Sequence, residues 1–182
     1  TAELKRVLKK EGTLWWNHSG AYQDKSYDMQ EYRLVMRMCD EQDWILRSEI
    51  IWFKPNIMPS SVRDRFTKDF EPVFFFSKSK KYWFETQYEP SLSAGSIHVA
   101  KKGDKSSQIK NTINATYFDR NYTTPMNRNK RAVWKIATRA FKAAHFATFP
   151  EDLIEPMVKS GCPEMICKKC GKAREKIFKR ET

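Results

Sequence analysis

At 182 residues, with 40% hydrophobic and 14% aromatic side chains, the chain carries enough apolar surface for one domain with a real core, which excludes a disordered tail. No apolar run approaches a membrane span and no secretory leader is visible, so a membrane partner is not expected. Thirty-four Lys plus Arg against 22 Asp plus Glu leave a net charge of +12, which suits a polyanion such as nucleic acid and suits an unpartnered basic surface equally well.

In chain order, Leu4, Val7 and Leu8 stand at helical spacing among Lys and Arg, and Glu11-Gly12 stops that helix. A short apolar strand, Thr13 to Asn17, then opens into the polar loop from His18 to Tyr22. The next helix is predicted over Asp28 to Gln42, with Tyr32, Val35, Met36 and Cys39 on its apolar face. Cys39 reads there as a small core residue.

Two continuous apolar runs follow, Glu49 to Phe53 and Val73 to Phe76. Such runs are expected of strands buried on both faces, and the two together of a hairpin. Between them lies Lys54 to Lys68, a stiff loop with Pro55, Pro59, Arg63 and Arg65, suited to a ligand site at a sheet edge. From Ser91 to Asn129 the chain turns rich in Ser, Thr, Asn, Lys and Gly; a loop of that length is usually functional, and its side chains suit phosphates and base edges. A strand is predicted at Arg131 to Thr138. The last helix is predicted with Pro150 at its first position, Glu151 and Asp152 in the first turn, and Gly161 and Pro163 at its end. Alternation of strand and helix predicts an α/β fold around a mostly parallel twisted sheet.

The four cysteines are too few and too clustered for a disulfide scaffold, which favours a reducing cytoplasm. Cys167-x2-Cys170 followed by Gly and Lys reads as one knuckle of a zinc ribbon, with Cys162 as a candidate third ligand.

Taken together, Gly12-Thr-Leu-Trp-Trp-Asn, Asp43-Trp-Ile-Leu-Arg-Ser-Glu-Ile-Ile-Trp-Phe-Lys-Pro-Asn-Ile-Met-Pro, Glu71-x5-Ser77-Lys-Ser-x2-Tyr-Trp-Phe, Asn129-Lys-Arg-Ala-Val-Trp-Lys-Ile and His145-Phe-Ala-Thr-Phe-Pro-x2-Leu resemble the amino-methylating DNA methyltransferases. These are the adenine-N6 or cytosine-N4 enzymes of the subgroup whose catalytic half precedes the cofactor half. The resemblance implies an incomplete Rossmann-like sheet that binds S-adenosylmethionine at its strand ends. Residues 1–90 would form the catalytic half and 91–129 an inserted target-recognition segment. Residues 130–161 would lead into the cofactor half, and 162–182 would be a partial zinc-ribbon-like tail. It further implies methyl transfer to a flipped-out base in double-stranded DNA, a cognate restriction endonuclease as partner, and a prokaryotic or phage cytoplasm.

By the same resemblance, His145, Phe146, Ala147, Thr148, Phe149 and Pro150 lie against the cofactor, and Asn17, Trp52, Lys54, Arg63, Arg65 and Lys68 lie near the base and the DNA. Two family motifs are missing: an Asp-, Asn- or Ser-Pro-Pro-aromatic tetrapeptide that holds the target amine, and a Phe-x-Gly-x-Gly turn that receives the cofactor. The chain therefore resembles the middle of such an enzyme, with no assignable catalytic residue, and alone it is expected to transfer no methyl group. The competing readings are a non-catalytic nucleic-acid-binding module with a zinc knuckle, and an RNA methyltransferase.

Overall fold

The protein is described here by a computed structural model, in which residues 1–92, 94–95, 97–98, 122–123, 126–139 and 148–173 are defined. Helix α1 (Ala2–Val7) leads into β1 (Thr13–Asn17), and a small ribbon of β2 (Tyr22–Gln23) and β3 (Ser26–Tyr27) precedes α2 (Gln30–Gln42). Then come β4 (Ile45–Phe53) and β5 (Phe70–Ser77). After the short strands β6 (Tyr88–Pro90), β7 (Ile97–His98), β8 (Tyr122–Thr123) and β9 (Asn127–Asn129), the chain returns through β10 (Val133–Lys135) and α3 (Glu151–Gly161).

The main sheet has the order β1-β5-β4-β10. Strand β5 is antiparallel to both neighbours, with Trp15 opposite Phe75 on one side and Ile50 opposite Val73 on the other, while β10 runs parallel to β4. Strands β1, β4 and β10 therefore all point one way, and β5 alone opposes them. The sheet is mixed for a physical reason. Strand β4 reaches β5 through a loop without a helix, and a chain that turns straight back pairs antiparallel, whereas parallel pairing, as of β4 with β10, needs a long crossover connection.

The side chains of β5 alternate between two cores. Val73 and Phe75 join Ile50, Trp52, Trp134, Leu153 and Met157 beneath α3, whereas Phe74 and Phe76 join Val35, Met38 and Trp44 beneath α2. A helix on each face keeps Val73 to Phe76 of this central strand apolar at successive positions, which is why that run shows no polar alternation. On α2 the inward face is Val35 and Met38, and the expected Met36 instead points to solvent; at about 100° per residue it stands about 100° from Val35 and about 160° from Met38, off the buried arc. Pro150 sits one residue before α3 as an extended cap, its carbonyl accepting from the Leu153 N–H at 3.0 Å. Gly161 closes α3 against β1: a Cβ there would lie 2.8 Å from Thr13 Oγ1.

Residues 87–130 form a compact unit of their own. In it β6 pairs with β9 and β7 with β8, both antiparallel, and Arg128 bonds Glu89 at 2.9 Å.

Candidate functional site

The carboxyl ends of β1 and β4 and the start of β5 meet at one rim of the sheet, the edge at which α/β proteins gather ligands. A cavity of about 370 Å³ opens there. Ser19, Gly20 and Tyr22 after β1 line one side of it, and Lys54, Ile57 and Met58 after β4 another. Arg65, Lys68, Phe70 and Glu71 complete the wall. Asn56 ties the β4 loop to the chain after β10: its Nδ2 donates to the Thr138 carbonyl at 3.0 Å, and its Oδ1 accepts the Thr138 N–H at 2.9 Å.

The cations of the cavity are held in different ways. Lys54 forms a half-buried ion pair with Glu71, and its Nζ lies 4.1 Å from the centroid of the Trp52 ring. Lys68 donates to Ser19 Oγ at 2.8 Å and to the Tyr27 hydroxyl, lies 4.2 Å from the Tyr27 ring centroid, and stands 3.6 Å from Glu31. Tyr27 in turn donates its O–H to Glu31 and accepts the Gly20 N–H at 3.1 Å. Glu31 is only 1% exposed, and its Oε2 lacks a hydrogen-bond partner. Space for this carboxylate exists because residue 20 is glycine: a Cβ there would stand 2.6 Å from Glu31 Oε2. Asp28 Oδ1 accepts both the Ala21 and Gln30 N–H groups at 3.1 Å, locking the loop after β1 to the start of α2. Arg65 stacks over Tyr22 at 3.6 Å and stays exposed.

Of the residues expected to face DNA, Lys54, Arg65 and Lys68 come together in this cavity. Arg63 lies exposed on the same loop, outside the lining. Asn17 does not reach the cavity either; its Nδ2 donates to the Pro72 carbonyl at 3.0 Å and fastens β1 to β5. Trp52 is 3% exposed, with its Nε1 donating to the Ile136 carbonyl at 2.8 Å. A ring so enclosed cannot receive a base, because strand alternation turns it into the α3 core, and its contact with the site runs through Lys54.

On the cofactor segment, His145, Phe146 and Ala147 lie outside the described residues. Thr148 is half-buried, Pro150 is buried, and Phe149 is exposed with its ring 6.5 Å from that of Trp52. Trp52 thus touches both the Lys54 corner of the cavity and the segment leading into α3.

The three cysteines of the tail do not form one set. Cys162 is the cap of α3, its N–H bonding the Val158 carbonyl at 2.8 Å, and among the described residues no group of three or more metal-ligating side chains is assembled. The turn that holds Cys167 and Cys170 is well formed: the Gly171 N–H bonds the Cys167 carbonyl at 2.8 Å, the Cys167 N–H bonds the Lys172 carbonyl at 2.8 Å, and Ile166 bridges Ala173. The backbone N–H groups of Cys170 and Lys169 aim at the Cys167 sulfur and, with the Cys170 thiol, hold its pKa below the ordinary thiol value.

Glu31, Tyr27, Ser19 and Glu71 escape a reading of the sequence. A glutamate in the first turn of a surface helix is ordinarily solvated, and only the glycine at position 20 hints that something packs closely there.

Comparison with known proteins places these features in context. The family of N6/N4-type DNA methylases matches residues 1–166. The chain is 31% identical over 188 residues to type II methyltransferase M.XycI of Xanthomonas campestris pv. cyanopsidis, covering 86% of this chain and 52% of that protein. It is 32% identical over 186 residues to type II methyltransferase M.Cfr9I of Citrobacter freundii, with the same coverage of 86% and 52%. Among solved structures, the PvuII DNA methyltransferase (cytosine-N4-specific) superposes with a TM-score of 0.59 at 16% identity, over 90% of this chain and 52% of that one, and so shares the fold. The chain spans about half the length of the curated relatives it matches.

Proposed function

The chain belongs to the N6/N4 DNA methylase family, and on that premise we propose that it serves site-specific methyl transfer from S-adenosylmethionine to the exocyclic amine of adenine (N6) or cytosine (N4) in double-stranded DNA. The observation that carries this reading is the cavity at the carboxyl ends of β1 and β4, on a chain of net charge +12. Its volume of about 370 Å³ is at the lower end of the range for small-ligand sites and suits a single base swung out of the stack.

The residues of the cavity supply positioning. Lys54 and Glu71 together offer one donor and one acceptor to a base edge, with little net charge to attract phosphate. Lys68 is oriented from below by Tyr27 and Glu31. Arg65, stacked on Tyr22 and exposed, is placed for a phosphate beside the extruded nucleotide. The cofactor, when bound, supplies an electrophilic sulfonium methyl group. The exposed ring of Phe149, backed by buried Trp52 and Pro150, gives it an apolar floor that fits a purine or thioether. Holding donor and acceptor in line is the larger part of the catalysis such a pocket can provide.

Residues 91–129 read as the target-recognition segment, and the unit from 87 to 130 gives them a compact frame. The type II names of the bacterial relatives support a cognate restriction endonuclease as functional partner and a prokaryotic or phage cytoplasm as its setting. Among the described residues no helix is long and apolar enough to cross a membrane. Tritiated S-adenosylmethionine offered to the full-length protein with DNA and, separately, RNA tests the reading. Label on adenine or cytosine amines of DNA is expected; label on RNA alone identifies an RNA methyltransferase, and no label on either polymer identifies a binding module.

A further inference from the structure

We propose that Phe66 is the wedge that enters the base stack when the target nucleotide leaves it, filling the gap opposite the base left behind. The inference rests on the reading of the cavity as the seat of a swung-out base, and it adds the residue that holds the duplex open. Phe66 is 96% exposed, the most exposed of the large apolar side chains among the described residues. A lone apolar residue in water is ordinary on a protein surface. The place of this one is not.

Its neighbours on either side, Arg65 and Thr67, line the cavity, as do Lys68 and Phe70, whereas Phe66 is absent from the lining. The backbone at Phe66 therefore belongs to the cavity rim while its ring stands free beside the opening. That backbone is held before and after the ring. Asp64 pairs with Lys25 at 3.1 Å and Arg65 stacks over Tyr22 at 3.6 Å. Lys68 donates to Ser19 Oγ at 2.8 Å, and the Asp69 carbonyl accepts the Lys54 N–H at 2.8 Å. A fixed base under a free ring is what a wedge needs, because a ring on a slack loop would give way to the bases instead of parting them.

The surroundings decide what the ring meets. Arg63, Arg65 and Lys68 stand close to it along the same loop, on a chain of net charge +12. A protein partner would call for a contiguous apolar patch, whereas one ring set among cations suits a polyanion whose interior is a stack of flat apolar faces. The cations take the phosphates and the ring enters between the bases. Every base offers a face to an aromatic side chain, so the contact needs no particular sequence. Apolar side chains inserted at a base step part it in just this way. Once the gap is filled, the extruded base returns to the stack more slowly and stays longer in the cavity beside Lys54 and Glu71.

The test is methyl transfer by the full-length protein to a duplex carrying its methylation site. Phe66→Ala, Phe66→Trp and the unaltered protein are compared on a paired target base and on the same base facing an abasic position. A target without a partner leaves the stack cheaply, so a wedge matters less to it. In Phe66→Ala, kcat/KM on the paired duplex should fall on the order of tenfold or more, and on the abasic duplex it should stay within about threefold of the unaltered protein. Phe66→Trp should keep both rates within about threefold. The slope of log affinity against log salt should be the same in all three proteins, since no charge is removed. A ring so exposed contributes little packing, so its loss leaves the fold intact. Phe66→Ala as active as the unaltered protein on the paired duplex overturns the proposal, as does an equal loss on both duplexes, a loss in Phe66→Trp as large as in Phe66→Ala, or a changed salt slope. Unaltered protein that labels no DNA overturns the methylation reading itself, and the wedge with it.

Discussion

The ammonium of Lys54 lies over the indole of Trp52, 4.1 Å from the ring centroid. Two positions apart where β4 ends, the residues share a side, so the buried ring fixes where the half-buried cation can stand. The opposite neighbour of that ring is Phe149. Replacing Trp52 should therefore disturb both the base cavity and the cofactor wall. Trp52→Ala is expected to cost about 3–5 kcal/mol by the cavity it leaves, and Trp52→Phe about 1–2 kcal/mol, chiefly for the orphaned Ile136 carbonyl. Urea unfolding curves of the two variants check this; a shift below half a unit of that lower range would mean the ring does not anchor the core.

Glu31 and Lys68 make a coupled pair that reaches from α2 into the cavity wall. Lys68→Met leaves a buried carboxylate without its cation and should destabilise the protein by about 3 kcal/mol. Glu31→Gln leaves the partly exposed Lys68 ammonium still bonded to Ser19 and Tyr27 and should cost about 1 kcal/mol, so the double variant should be more stable than Lys68→Met alone. A double-mutant cycle in denaturant measures the coupling, and strictly additive losses would contradict the pairing.

Arg65 and Lys54 differ in how they should meet DNA. Arg65 is stacked on Tyr22 and open to a phosphate, whereas Lys54 is neutralised by Glu71. Arg65→Gln should lower the slope of log affinity against log salt by about 0.9. Lys54→Gln should leave that slope nearly unchanged. Titrations at several ionic strengths with the full-length protein distinguish the two, and equal effects would refute the division of roles.

Tyr32 carries a pKa pushed up to about 12, by burial first and by its hydrogen bond to Glu49 second. The folded protein therefore holds this phenol's proton more tightly than the unfolded chain, whose tyrosine titrates near 10. Its stabilising contribution is complete below about pH 10 and is lost as pH rises toward 12. Tyrosinate absorbance should show one late-titrating group that disappears in Tyr32→Phe; an unchanged late phase in that variant would reassign it.

How much of this was legible depended on whether neighbours in sequence carry the information. The Val73 to Phe76 run announced a strand enclosed on both faces, and a helix does cover each face. The helix-free loop after β4 announced a return hairpin, and β4 and β5 pair antiparallel. The stiff loop from Lys54 to Lys68 was expected to border a ligand site at a sheet edge, and Lys54, Arg65 and Lys68 line one cavity there. Direction and depth were not legible. Trp52 was expected near the base, and the register of β4 turns its ring under α3. Nothing in the sequence around Glu31 marks its burial, which Gly20 and Lys68, distant in sequence, bring about. Met36 shows the same limit, since a helical face is defined only by what packs on it.

The central claim is that the cavity beside Lys54 and Glu71 receives the base to be methylated. Its most direct test is the rate of methyl transfer from S-adenosylmethionine to DNA by the full-length protein carrying Lys54→Gln and Glu71→Gln together, compared with the unaltered protein at equal fold content by circular dichroism. The account predicts a fall in kcat/KM of about 100-fold, the usual loss when positioned hydrogen-bonding groups are removed from a reacting site. Transfer at the unaltered rate would contradict it.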